Sequence, residues 1–155
     1  MALPEIGQDA PDFELPSDGG GTIALSSLKG KAVVLYFYPK DDTSGCTTEA
    51  VDFSALKNEF DATGATVIGV SPDSAKSHDK FKAKHSLSVA LASDEEKSTL
   101  EAYGVWVEKS MYGKKYMGVE RTTFLIGPDG KVRRVWSKVK VPGHAKDVLE
   151  AVKSL

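Results

Sequence analysis

The chain of 155 residues contains a single cysteine, Cys46, so it cannot close an internal disulfide, and a disulfide-built secreted scaffold is excluded. It has no excess charge of either sign. The 20 Lys and Arg residues face 22 Asp and Glu, and a formal net charge of −2 argues against a general nucleic-acid binder. Long apolar runs are absent as well. The longest, Ala32 to Tyr38, is seven residues, where a membrane helix needs about 20, so no membrane association is expected. The start, Met1-Ala2-Leu3-Pro4-Glu5, has no basic stretch followed by an apolar one; no signal peptide is read, and the cytoplasm, where thiols stay reduced, is the expected compartment. The three histidines, His78, His85 and His144, do not sit in metal-ligand spacing, and one cysteine leaves nothing for a zinc cage, so no metal site is expected. There is no repeat, low-complexity tract or linker. With 41% hydrophobic and 27% charged residues, the composition is that of one ordinary domain covering 1–155.

Patterning supplies the architecture. Gly19-Gly20-Gly21 lies between two short extended pieces, Asp12–Leu15 and Thr22–Ala24, and reads as the turn of a hairpin. A phosphate loop would need a following Gly-Lys-Ser/Thr and a helix, and has neither. Ala32–Tyr38 is rich in β-branched and aromatic residues without alternation, the signature of a strand covered on both faces. Phe53, Leu56 and Phe60 predict a helix over Ser44–Asp61. Thr66–Ser71 and Val89–Ala92 read as further buried strands. They are separated by a helix from Ser74 to His85 and followed by one capped by Ser93 or Asp94 and running to Tyr103. Residues 105–118 have no clear period and read as a loop with some extended character. Thr122–Ile126 and Lys131–Trp136 flank Gly127-Pro128-Asp129-Gly130, which is hairpin turn chemistry. Ala145, Val148, Leu149 and Val152 form the apolar stripe of a final helix. Alternating strands and helices followed by a hairpin predict an α/β fold: a mixed sheet flanked by helices, with its site beyond the carboxyl ends of the central strands, just past Tyr38.

That segment reads Pro39-Lys40-Asp41-Asp42-Thr43-Ser44-Gly45-Cys46-Thr47-Thr48-Glu49. If the helix begins near Ser44, Cys46 occupies its first turn, where free N–H groups and the positive end of the helix dipole favour a thiolate. Gly45 permits close backbone approach to a small ligand, and the Thr43 hydroxyl can donate and accept. Position alone leaves two readings of Cys46 open, a nucleophile and a buried filler of the kind free cysteines often are.

Pro39, Thr43 and Cys46 match the Pro-x-x-x-Thr-x-x-Cys motif of the peroxiredoxins, thiol peroxidases of thioredoxin-like fold. The longer string from Phe37-Tyr38-Pro39 to Asp52-Phe53 resembles the peroxiredoxin Q subgroup, also called bacterioferritin comigratory protein. So do Gly69-Val70-Ser71, Tyr103-Gly104-Val105-Trp106 and Glu120-Arg121-Thr122-Thr123-Phe124-Leu125-Ile126. The resemblance runs from Gly7 to the last strand. It implies that Cys46 is the peroxidatic cysteine, that Thr43 hydrogen-bonds thiolate and peroxide, and that Pro39 shields the pocket from water. It also implies that Arg121 enters the site from a neighbouring strand and that Glu49 orients Arg121. Read without it, Arg121 is a solvated strand-end charge and Glu49 a first-turn carboxylate favoured by the helix dipole. The implied activity is reduction of hydrogen peroxide and organic hydroperoxides through a sulfenic acid at Cys46, without metal or organic cofactor.

The chain departs from the subgroup in one telling place. Many members carry a resolving cysteine five positions after the first, where this chain has Val51; others carry it in the second helix, but Ser74–His85 has none. The resemblance therefore implies a 1-Cys mechanism, with an external thiol (thioredoxin, glutaredoxin or glutathione) as reductant. Ser44 stands where the subgroup has proline, and a monomer is expected, as for many relatives. A peroxide sensor that passes oxidation to a partner by mixed disulfide is the alternative; a noncatalytic binding module is a third reading. His144 is the histidine that a cysteine hydrolase could fold beside Cys46. The basic clusters at Lys109–Lys115 and Arg133-Arg134 with Lys138 and Lys140 read as solvated faces, with docking of an acidic partner as the second reading.

Overall fold

A computed structural model describes residues 3–155. Its centre is β3 (Val33–Phe37), the run without alternation. Both faces of this strand are covered. Val34, Tyr36 and Tyr38 enter one apolar cluster with residues of α1 (Ser44–Ala55), α2 (Lys57–Ala62), α3 (Ala75–His85) and α5 (His144–Lys153). Val33, Leu35 and Phe37 enter the other, with Phe13, Leu15, Leu100 and Tyr103. A strand with an apolar neighbour on each side has no polar face to alternate with.

Five strands form the sheet in the order β5-β4-β3-β8-β9. β4 (Thr66–Ser71) runs parallel to β3, and β5 (Ala90–Ser93) parallel to β4. β8 (Thr122–Ile126) runs antiparallel to β3 with Phe37 opposite Thr122, and β9 (Val132–Trp136) closes the far edge. This is the mixed, helix-flanked sheet that the pattern predicts. The pairing of Phe37 with Thr122 puts residue 121 at the carboxyl end of β3, level with the loop that leads to Cys46.

The N-terminal hairpin pairs β1 (Glu14–Pro16) with β2 (Thr22–Ala24). A 3-10 turn at Asp18–Gly20 closes it, where Gly19 and Gly20 take φ of 79° and 86°, values that side chains with a Cβ disfavour. α5 buries Ala145, Val148, Leu149 and Val152, the stripe read from the sequence, together with His144. Ser74 caps α3 by accepting a hydrogen bond from the Ser77 amide at 3.1 Å.

Three expectations change. The helix expected over Ser44–Asp61 breaks at Leu56, whose φ of −98° and ψ of 6° leave the helical region, into α1 and α2, and Phe53 and Phe60 still reach the same cluster from either side of the break. The Asp94 carboxylate does receive a helix amide, that of Leu100 at 2.8 Å, but α4 spans only Ser98–Ala102. Residues 105–118 hold two strands, β6 (Trp106–Met111) and β7 (Lys114–Val119), paired antiparallel about Tyr112-Gly113. Most of their residues are exposed, so no buried face imposes a period on the sequence. No helix among the described residues is long and apolar enough to cross a membrane.

Candidate active site

Cys46 lies in the first turn of α1, whose hydrogen-bond ladder opens with the Thr47 amide donating to the Thr43 carbonyl at 2.8 Å. The preceding amides have no partner within the helix. Cys46 is only 1% exposed and packs in the cluster of Tyr36, Ala50 and Phe53. One helical turn later, Glu49 points the same way and is equally buried.

Arg121 joins the two from the start of β8. Its Nη2 donates to Cys46 Sγ at 3.3 Å and its Nη1 to Glu49 Oε1 at 2.7 Å. Gly45 eases the approach, since a Cβ there would stand 3.2 Å from Nη2 and the guanidinium would have to give by a few tenths of an ångström. The freedom read in Gly45 as room for a ligand is used by the guanidinium. Burial works against the Arg121 charge, but Glu49 and Cys46 outweigh it and hold the guanidinium protonated. Burial pushes the Glu49 carboxyl up to about 7, against the pull of Arg121. Glu49 Oε2 and the Tyr36 hydroxyl are buried with no hydrogen-bond partner among the described residues. Tyr36 stacks on Phe53 of α1 with ring centroids 4.7 Å apart, and its other side needs a glycine: a Cβ on Gly69 would come within 2.6 Å of the ring.

The loop before α1 carries the other two sequence candidates. Thr43 is the N-terminal flanking residue of α1, extended and exposed, and its hydroxyl donates to the Lys40 carbonyl at 2.9 Å rather than to Cys46. Pro39 is half-buried where β3 ends. Cys46, Glu49 and Arg121 are thus brought into one bonded group. Thr43 and Pro39 border it through the loop, with no bond to the sulfur recorded among the described residues. Val51 is exposed on the outer side of α1.

Sequence reasoning missed a second group beneath the same loop. The Asp41 carboxylate accepts hydrogen bonds from the Tyr38 hydroxyl at 2.6 Å and the Ser77 hydroxyl at 2.8 Å, and lies 2.7 Å from His78 Nδ1. His78 Nε2 is 3.0 Å from the Ala92 carbonyl. Asp73 accepts from the Asp41 amide at 2.8 Å and from the Ser71 hydroxyl at 2.7 Å. Ligand-type atoms of Asp41, Asp73 and His78 lie within 4.8 Å of one another, and each residue is already engaged with protein partners. The sequence signal was His78 three residues before Phe81, a polar residue on the buried face of α3. His144 reaches the Thr123 hydroxyl at 2.8 Å, with Phe53 and Trp136 against its ring, and no bond to Cys46 is recorded.

Residues 6–135 match the AhpC/TSA family. Peroxiredoxin Bcp of Bacillus subtilis is 52% identical over 151 residues, covering 97% of this chain and 96% of its own. The fold superimposes on a cysteine mutant of Xylella fastidiosa PrxQ with a TM-score of 0.94 at 41% identity, covering 99% of this chain and 98% of the other. The Xanthomonas campestris bacterioferritin comigratory protein, studied for its alkyl peroxide reduction activity, gives 0.90 at 47% identity, with 99% and 98% covered. The matches run over nearly the whole length and share the thioredoxin-like sheet, and the chain belongs to the AhpC/TSA family, among the thiol-dependent peroxidases of the peroxiredoxin Bcp or Q kind.

Proposed function

We propose that the chain, as one thioredoxin-like unit over residues 1–155, reduces hydrogen peroxide and organic hydroperoxides by a 1-Cys mechanism in a reducing, cytoplasmic setting, as a monomer. The observation that carries this reading is the Arg121 guanidinium held between Glu49 and the only sulfur of the chain that can be a thiolate. The Cys46 thiolate attacks one peroxide oxygen, forming a sulfur–oxygen bond as the oxygen–oxygen bond breaks. The departing hydroxide or alkoxide takes a proton from solvent, leaving Cys46 as a sulfenic acid. Negative charge moves from sulfur to the leaving oxygen along this path. A fixed guanidinium and the free amides of the first turn of α1 stabilise it without reorganising.

In this reading Glu49 orients Arg121, Pro39 limits water at the mouth, and the Thr43 hydroxyl turns from Lys40 to the bound peroxide. No second cysteine is present, so resolution falls to an external thiol, whether thioredoxin, glutaredoxin or glutathione. The thiol displaces water from the sulfenic acid to give a mixed disulfide. A second thiol then releases Cys46 and leaves as the oxidised disulfide. Peroxide consumption with excess dithiothreitol, wild type against Cys46→Ser, is the test. Sustained turnover in the wild type and none in the variant is expected. A folded wild type as inert as the variant overturns the peroxidase reading, and a single oxidation followed by a stable mixed disulfide favours the sensor.

A further inference from the structure

The loop from Pro39 to Thr43 is fastened to α3 at both of its carboxylates. Asp42, at a positive φ of 60°, receives Lys84 at 2.7 Å and His85 Nε2 at 2.8 Å on the outside. Asp41 is the inner fastening and is buried. His78 Nε2 faces a carbonyl, which can only accept, so this nitrogen carries a proton. The Asp41 carboxyl group accepts from Tyr38 and Ser77 and lies 2.7 Å from Nδ1, so ring and carboxyl group share a short, direct contact. His78 and Asp41 are therefore a buried, directly bonded acid–base pair. Burial pulls the His78 value down, but the hydrogen bond and charge of Asp41 outweigh it and hold His78 above the ordinary histidine range.

The position of this pair matters because the loop runs directly into α1, and Cys46 is 1% exposed. A peroxide is small enough to reach a recessed sulfur, whereas a protein or peptide thiol must approach the sulfenic sulfur in line. The first turn of α1 has to open for that step. We propose that Asp41 and His78 are a positioning pair for the thiol chemistry: they latch the Pro39–Thr43 loop to α3 and set how often the first turn of α1 opens to offer Cys46 to an external thiol. This rests on the reading of Cys46 as the reactive thiol.

The sign of the pH dependence follows. The latch is intact below the ordinary histidine range, where His78 is charged in any state, and is lost as pH rises through its raised value. The titratable groups facing His78 are Asp41 from the loop, Asp73 from the turn after β4 and Tyr38 from β3, while β5 presents the Ala92 carbonyl. Burial and Asp41 raise Tyr38 well above its ordinary value, so it stays protonated across the window.

The test follows the alkylation rate of reduced Cys46 by iodoacetamide from neutral to alkaline pH, divided by the thiolate fraction from ultraviolet absorbance. The ring resonances of His78 and His85 are followed separately by NMR. The normalised rate is expected to rise about tenfold with the midpoint of His78, the change that roughly 1.4 kcal/mol lost from the closed state produces. His78→Gln should alkylate about tenfold faster than wild type at neutral pH, without the alkaline rise. A flat normalised rate, a rise that tracks His85 instead, a neutral His78 ring at neutral pH, or wild-type alkylation in a folded variant overturns the latch. If the variant does not fold, the wild-type coincidence of midpoints decides alone. No arm uses peroxide, so a protein that alkylates as expected yet consumes no peroxide upholds the latch and sinks the peroxidase reading.

Discussion

Two flanks meet the α1 segment, α3 at the loop leading into it and α5 at the helix itself, and each does so with a buried histidine. On the α3 side, His78 meets a carboxylate and a carbonyl, and its charge is kept. On the α5 side, His144 meets a hydroxyl and two aromatic rings, and burial, with Arg121 nearby, presses its value down to about 4. Partners decide the outcome, not burial, since both residues are nearly inaccessible. The α5 flank is the kind of contact that packs a helix permanently. The α3 flank is ionic and conditional, and it grips the loop leading into Cys46.

The largest expected break of this contrast is His78→Leu. It strands the Asp41 carboxylate without its counter-charge, at a cost of about 3–5 kcal/mol, read from urea denaturation. On the other flank, Thr123→Val keeps the shape but removes the partner of the His144 ring nitrogen, and about 1–3 kcal/mol should be lost in the same measurement. A milder probe uses pH. Because His144 is held at about 4 in the fold, its contribution is present above the ordinary histidine value and fades as pH falls from about 6.5 toward 4. Glu49, pushed up to about 7, slopes the other way over part of that range. The His144 contribution is therefore read as the difference in stability between wild type and His144→Gln. That difference should shrink by about 1–2 kcal/mol across the window once solvent screening is allowed for. The smallest effect belongs to the side of α1 that neither flank touches: Val51→Ala should stay within about 0.5 kcal/mol of wild type and leave peroxide turnover unchanged.

The α5 flank was legible in the sequence and the α3 flank was not, for a physical reason. Ala145, Val148, Leu149 and Val152 announce their face by spacing alone, because apolar burial needs no particular partner. His78 acquires meaning only from Asp41, 37 residues earlier, and from a carbonyl on β5, and no local pattern encodes such a meeting. The same divide runs through the site. The place of Cys46 at the head of a helix could be read from the chain; that Thr43 would turn its hydroxyl to Lys40, or Gly45 clear a path for Arg121, could not. The β6–β7 hairpin escaped notice because its strands expose most of their residues, and the break at Leu56 because aromatic spacing carries on across it.

The union of Cys46 with Arg121, 75 residues later, also has a consequence for the birth of the protein. β8 enters the sheet beside β3 only after β4 and β5 have been made on its other side. At about 5–20 residues per second, synthesis leaves the sulfur without its guanidinium for roughly 4–15 s. The contact is completed late, when the strand that follows Arg121 docks beside β3, so an unfinished chain carries the sulfur without the group that the finished fold sets against it.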